Sequence, residues 1–201
     1  QAMYPNITEN SDYAGVFDER HFARLQGYID DAVAKGAKLT IVGADKTRAA
    51  ENNRRMPLHI LQNVTEDMQV MHEEIFGPIL PVMTYTDITE VPDKIEPRRN
   101  PLALYYFGKD NAEQEYLLNH VPSGGACIND ITLHYVQEDL PFGGVGASGM
   151  GAYHGPEGFK NMSHGRAIYS QTMIDILPIV GARPPFGKKF RKNISKILGA
   201  I

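Results

Sequence analysis

A single cysteine, Cys127, stands among 201 residues, which excludes an intrachain disulfide and any metal site built from several thiolates. A lone thiol fits a reducing compartment, so a cytoplasmic location is expected. Long apolar runs are also absent. Stretches such as Ile174 to Ala182 are broken by Asp175, Pro178 and Gly181, well short of the about twenty residues that span a bilayer. The first residues lack the basic patch and apolar run of a secretory signal, so no export is expected, and Gln1-Ala2-Met3 reads as an addition ahead of an initiator methionine. No internal repeat or low-complexity run stands out. At 42% hydrophobic and 22% charged residues the chain has ordinary globular usage, which argues against disorder.

Acidic residues run out near the end. From Arg183 onward the chain carries Lys188, Lys189, Arg191, Lys192 and Lys196 as well, six of its 20 basic groups, leaving a net charge of −10 on residues 1–182. A body that acidic is a poor nucleic-acid binder, because affinity for phosphates comes from neutralising them. In the basic tail, residues 183–201, Phe190, Ile194, Ile197, Leu198 and Ile201 fall on one helical stripe with the cations opposite. Such a helix lies on an anionic membrane or docks on a protein surface, and docking on its own chain is the simpler expectation.

Periodicity sets the rest. Phe22, Leu25, Ile29, Ala32 and Val33 predict a helix over residues 19–35, started by Asp18 and closed by Gly36. Strands are expected at 39–42, 58–64, 79–85, 102–107 and 125–129, an exposed loop at 45–55, and a proline-interrupted helix at 87–96. Asp110 and Glu113 resemble a capping box for a helix through His120. Strands alternating with helices predict an α/β fold, a mostly parallel sheet with flanking helices.

From Pro141 to Gly165, eight glycines in 25 residues predict a long irregular loop. Gly144-Val145-Gly146-Ala147-Ser148-Gly149 matches the dinucleotide fingerprint literally, but no strand enters it and no helix leaves it at the right place, so the pyrophosphate reading is set aside. The preferred reading is a loop laying an aromatic, Phe142, and an imidazole, His154, over a pocket. In Glu73-Glu74-Ile75-Phe76-Gly77-Pro78, a carboxylate that accepts two ribose hydroxyls sits beside a flat ring, just before a strand. On residue types alone, a solvated acid pair and a core phenylalanine explain it as well. Cys127 has no basic neighbour and reads as a small packed hydrophobe rather than a nucleophile. The histidines at 120, 134, 154 and 164 have neither helical i,i+4 spacing nor thiolate company, so no metal site is expected.

Together these motifs, with Ser123-Gly124-Gly125, Ile128-Asn129-Asp130, Leu140-Pro141-Phe142-Gly143-Gly144-Val145-Gly146 and Tyr153-His154-Gly155, resemble the aldehyde dehydrogenase superfamily, and within it the class 3-like coniferyl aldehyde dehydrogenases. The resemblance implies the C-terminal part of that family's catalytic domain over residues 1–182. It implies oxidation of an aldehyde, coniferyl or another aromatic or medium-chain one, to the acid with NAD or NADP. A cysteine adds to the aldehyde, hydride leaves to the nicotinamide, and a glutamate activates the hydrolytic water. Carried over by motif, Glu74 binds the nicotinamide ribose, Phe76 lies beside the nicotinamide, and Phe142 and His154 line the substrate pocket. The family's nucleophile, general base and nucleotide-binding domain lie upstream of the residues present, so no catalytic residue is assigned and the isolated chain is expected to be inactive. A homodimer is expected for the complete enzyme. The alternative is a non-catalytic interaction or regulatory module that pairs with a full-length aldehyde dehydrogenase subunit.

Overall fold

The computed structural model describes residues 4, 7, 10–43, 54–98 and 100–199. Helix α1 runs over Glu19–Ala34 because Leu25, Tyr28, Ile29 and Ala32 return to one side, which is buried. Asp18 starts it as expected, its carboxylate accepting the His21 N–H at 2.6 Å. Strands β1 (Lys38–Val42), β2 (Leu58–Gln62) and β3 (Ile79–Val82) form one sheet in that order. β2 ends earlier than expected, at an Asn63 whose φ of 57° leaves the extended region. Of the loop expected at 45–55, only Arg54 and Arg55 lie within the described residues.

Parallel pairing holds for β2 with β3 and fails for β1 with β2, which are antiparallel. A parallel pair needs a long crossover that packs back on the sheet. Of the stretch between β1 and β2, the described residues bury only the Met56 and Pro57 side chains at the edge of β2, whereas the one between β2 and β3 buries Val64, Met68, Val70 and Met71. These residues join Leu25, Met56 and Leu61 in a core between α1 and the sheet, where each fully buried leucine contributes about 1.5 to 3 kcal/mol.

A second unit follows. Strand β4 (Ala103–Tyr106), helix α3 (Asn111–His120) and strand β5 (Gly125–Ile128) make a β-α-β turn with parallel strands over a smaller core of Tyr106, Leu117 and Val121. Asp110 caps α3 by accepting from the Ala112 and Glu113 N–H groups, while Glu113 accepts the Tyr106 hydroxyl at 3.2 Å. The reciprocal capping box forms instead at Asp87 and Glu90. There the proline-interrupted helix expected at 87–96 is split into a 3-10 turn (Ile88–Glu90), helix α2 (Val91–Ile95) and a second 3-10 turn (Glu96–Arg98). This segment touches both cores. Ile88, Val91 and Ile95 pack on the second, and Arg98 grips Glu66 beside the first through two bonds of 2.7 and 2.9 Å.

The glycine-rich stretch is less irregular than its composition predicts. After helix α4 (Leu133–Val136), Phe142 and Tyr153 exchange both backbone hydrogen bonds at 2.9 Å, and Gly155–Asn161 forms helix α5. Pro156 in its first turn and the Lys160–Glu157 pair at 2.8 Å offset its two glycines. The last described helix, α6, spans Lys188–Leu198. The docking on its own chain expected for this segment reaches only part of the helix. Lys189 and Asn193 donate to the Ile179 and Val180 carbonyls and Phe190 is half-buried, but Ile197 and Leu198 remain 65% and 62% exposed.

Asp31, near the end of α1, accepts the Gln69 N–H at 2.8 Å and pairs with Lys35 at 2.8 Å, joining the helix to the β2–β3 crossover. The Lys35 ammonium and then the Gln69 N–H hold its carboxyl below the usual range. A carboxyl lowered on folding contributes stability above its unfolded pKa of about 4, and loses that contribution as pH falls through the lower folded value. Asp31→Asn should therefore flatten the fall in urea midpoint between about pH 5 and about pH 3. An unchanged slope would refute the linkage.

Candidate cofactor and substrate site

The Glu73–Pro78 turn rests directly on α1. A Cβ on Gly77 would lie 2.4 Å from Leu25 Cδ1, and Leu25 is fully buried, so only glycine lets the turn come this close. Arg24 holds the turn from one helical step away. Its Nη2 donates to the Ile75 carbonyl at 2.7 Å, and its Nη1 to the Glu74 carbonyl at 3.1 Å and the Tyr28 hydroxyl at 2.8 Å. Tyr28 in turn donates to Glu73 Oε2 at 2.5 Å. Burial, and then the bond to Glu73, raise the Tyr28 pKa, which keeps the phenol a donor.

This bracing separates two acids that sequence reading left side by side. Glu73 is occupied by the fold, whereas the exposed Glu74 carboxylate is engaged by no hydrogen bond or ion pair among the described residues. Phe76, with φ 50°, is 71% exposed. The core-phenylalanine account is thereby overturned, because the Arg24 and Leu25 contacts fix the turn with the ring outside. An acceptor-only carboxylate and an outward ring on one rigid turn suit a diol attached to a flat heterocycle.

A second locus gathers around the glycine loop. The Phe142 ring lies 5.6 Å from Tyr153, 5.5 Å from Tyr135 and 5.9 Å from His134, and Tyr153 lies 4.3 Å from His154. Phe142 and His154 thus both pack against Tyr153. His154 Nδ1 and both ring nitrogens of His134 are buried without a hydrogen-bond partner among the described residues. His134 fits because Gly125 has no side chain, since a Cβ there would meet its ring at 2.7 Å. Tyr135, Tyr153 and His134 escaped the sequence reading as site residues, as did Arg24 and Tyr28. The Arg24–Tyr28 i,i+4 spacing was the available signal for the last two.

The two loci are not joined by any hydrogen bond, ion pair or ring contact among the described residues. A cleft of about 470 Å³ opens beside the first, walled by Glu73, Ile75, Met83 and Arg98 among others, and neither Phe142 nor His154 lines it. Within the fingerprint-like glycines, Ser148 Oγ accepts the Val145 N–H at 3.0 Å and closes a 3-10 turn, so no helix N-terminus faces outward there. Cys127 on β5 pairs in register with Tyr105 of β4 and is half-buried. No group of three His, Cys, Asp or Glu side chains converges among the described residues. None of the described helices is long and apolar enough to cross a membrane.

The fold is α/β, with parallel strand pairs and flanking helices. Residues 2–168 match the model of the aldehyde dehydrogenase family, and the chain belongs to that family. It is 45% identical over 193 residues to a probable coniferyl aldehyde dehydrogenase of Caulobacter vibrioides, covering 96% of this chain and 40% of that protein. It is 37% identical to the coniferyl aldehyde dehydrogenase of a Pseudomonas species, covering 98% and 41%. Among solved structures it resembles AldH of Staphylococcus aureus in a substrate-bound state, with a TM-score of 0.74 at 34% identity over 96% of this chain and 40% of that one. It also resembles the NAD+ complex of betaine aldehyde dehydrogenase from the same organism, with a TM-score of 0.64 at 25% identity over 76% and 30%. The chain thus spans about 40% of the length of the coniferyl aldehyde dehydrogenases and of AldH.

Proposed function

We propose that this chain forms the pocket-shaping and nicotinamide-side part of an NAD- or NADP-dependent enzyme that oxidises an aldehyde to its carboxylic acid. Coniferyl aldehyde or a similar aromatic aldehyde is the substrate class. The observation that carries the reading is the Arg24–Tyr28–Glu73 brace, which commits Glu73 and leaves Glu74 and Phe76 facing out. Glu74 would hold the ribose hydroxyls, and Phe76 would pack beside the nicotinamide. When bound, the cofactor supplies the two-electron acceptor. Phe142 and the neighbouring tyrosines would present an apolar wall to the aldehyde's ring, with the His154 imidazole beside them. The acyl-transfer nucleophile and the base for hydrolysis would come from the portion of the enzyme not represented in these residues, so the chain by itself is inactive. The matched relatives' greater length supports this division.

In the full-length enzyme that carries this segment, Glu74→Gln should raise the KM for NAD(P) about tenfold, the worth of a hydrogen bond to a charged acceptor, while the aldehyde KM stays within about twofold. The isolated chain should form no NAD(P)H with aldehyde. An unchanged cofactor KM in the variant, or turnover by the isolated chain that Cys127→Ser abolishes, would overturn the assignment. Subunit pairing is the further part of the reading. Ile168 and Tyr169 are 77% and 80% exposed and offer apolar surface to a second subunit, in a homodimer or against a longer aldehyde dehydrogenase chain.

A further inference from the structure

We propose that α6 is a membrane-surface helix, which lies flat on an anionic bilayer with its apolar stripe in the headgroup region. Three observations converge on it. The helix carries five cations, Lys188, Lys189, Arg191, Lys192 and Lys196, and no acidic residue. None of the five forms an ion pair with an acidic side chain among the described residues, whereas Arg183 just before them is neutralised by Asp175 at 3.2 Å. Phe190, Ile194, Ile197 and Leu198 occupy the opposite side, and the last two are more than half exposed. The turn that accepts the Lys189 and Asn193 side chains exposes further apolar surface, Ile179 and Val180 being 63% and 45% exposed.

Charge decides the occupant. If two copies paired through this stripe, ten like charges would crowd around one small apolar contact, which is repulsive at ordinary ionic strength. An anionic bilayer offers apolar depth and negative charge on one surface, and it demands no shape match. An amphipathic helix sinks its apolar face about 5–10 Å while its lysine stems reach outward to the headgroups. At 11 residues α6 is far too short to span, so it lies on the membrane. Each cation near such a surface raises affinity about fivefold.

The test is flotation of the 201-residue chain with vesicles of phosphatidylcholine containing about 30% phosphatidylglycerol, and with phosphatidylcholine alone. The chain should float with the anionic vesicles at least about tenfold more tightly than with the neutral ones, and salt should weaken it. Ile194→Glu combined with Ile197→Glu should abolish recovery, and Lys188, Lys192 and Lys196→Gln together should lower it about tenfold or more. Because these side chains lie outside both cores, urea midpoints matching the native chain confirm that each variant is folded. Failure of the native chain to float, or equal recovery of native and Ile194/Ile197 variant chains, overturns the proposal. So does self-association without lipid that the isoleucine variant abolishes, which would assign the stripe to a second copy.

Discussion

Gly143→Ala is expected to unpack the glycine loop and lower stability by about 3 to 5 kcal/mol. The new Cβ would lie 2.0 Å from the Gly151 carbonyl oxygen and 2.8 Å from Ala152 Cα. Both obstacles are backbone, so no rotamer change relieves them, and the two arms of the loop must part. Parting breaks the paired Phe142 and Tyr153 hydrogen bonds, at roughly 1 kcal/mol each, on top of an overpacking cost of about 1 to 3 kcal/mol. The Phe142–Tyr153–His154 ring contacts go with them, so near-ultraviolet dichroism from the tyrosines should fall alongside the urea midpoint. Gly165→Ala, which meets nothing within 4 Å, is the control and should change stability by less than about 0.5 kcal/mol. Equal midpoints for the two variants would show that the loop tolerates separation and that its glycines serve something other than close approach.

The second large effect is expected at Arg24. Arg24→Met keeps much of the apolar stem but removes three hydrogen bonds, two of them to the backbone of the Glu73–Pro78 turn. With the side chain 28% exposed, solvent recovers part of the loss, and about 2 kcal/mol is expected. Arg24→Lys should recover less than half of it, because one ammonium cannot serve the Glu74 and Ile75 carbonyls and the Tyr28 hydroxyl in the geometry that the guanidinium fork does. The functional reading adds a second effect in the full-length enzyme. A loosened turn should weaken NAD(P) and leave aldehyde recognition nearly unchanged, moving cofactor KM in the same direction as Glu74→Gln. A methionine variant with native stability and native cofactor KM would remove Arg24 from the site's support.

Helix α1 and the strands were legible in the sequence because each depends on local pattern: the apolar spacing of Leu25, Ile29 and Ala32, and the short β-rich runs at Leu39 and Leu58. The antiparallel turn of β1 onto β2 was not, since pairing direction depends on what the connection can bury, and that is decided by long-range packing. Helix α5 was hidden by Gly155 and Gly158, whose low propensity the Pro156 start and the surrounding contacts override. At the site, Glu74 and Phe76 were visible as residue types, but their outward placement comes from Arg24 and Tyr28, about fifty residues earlier in the chain. His134, on α4, was legible only as a metal candidate, because the space it fills is made by a missing side chain at Gly125 on β5.

The segment from Ile88 to Arg98 carries a consequence for the distance between the two loci. The Glu74 turn is seated on the first core and the Phe142 cluster is built around the second unit, so neither locus sets its own separation from the other. That gauge is the short α2 segment, riveted to the first unit by Arg98 on Glu66 and bedded in the second by Ile88, Val91 and Ile95. A change of length or tilt there would slide the Glu74 turn against the Phe142 cluster while leaving every residue of both intact. On the function proposed above, that spacing would set the length of aldehyde the enzyme accepts through residues that touch neither locus.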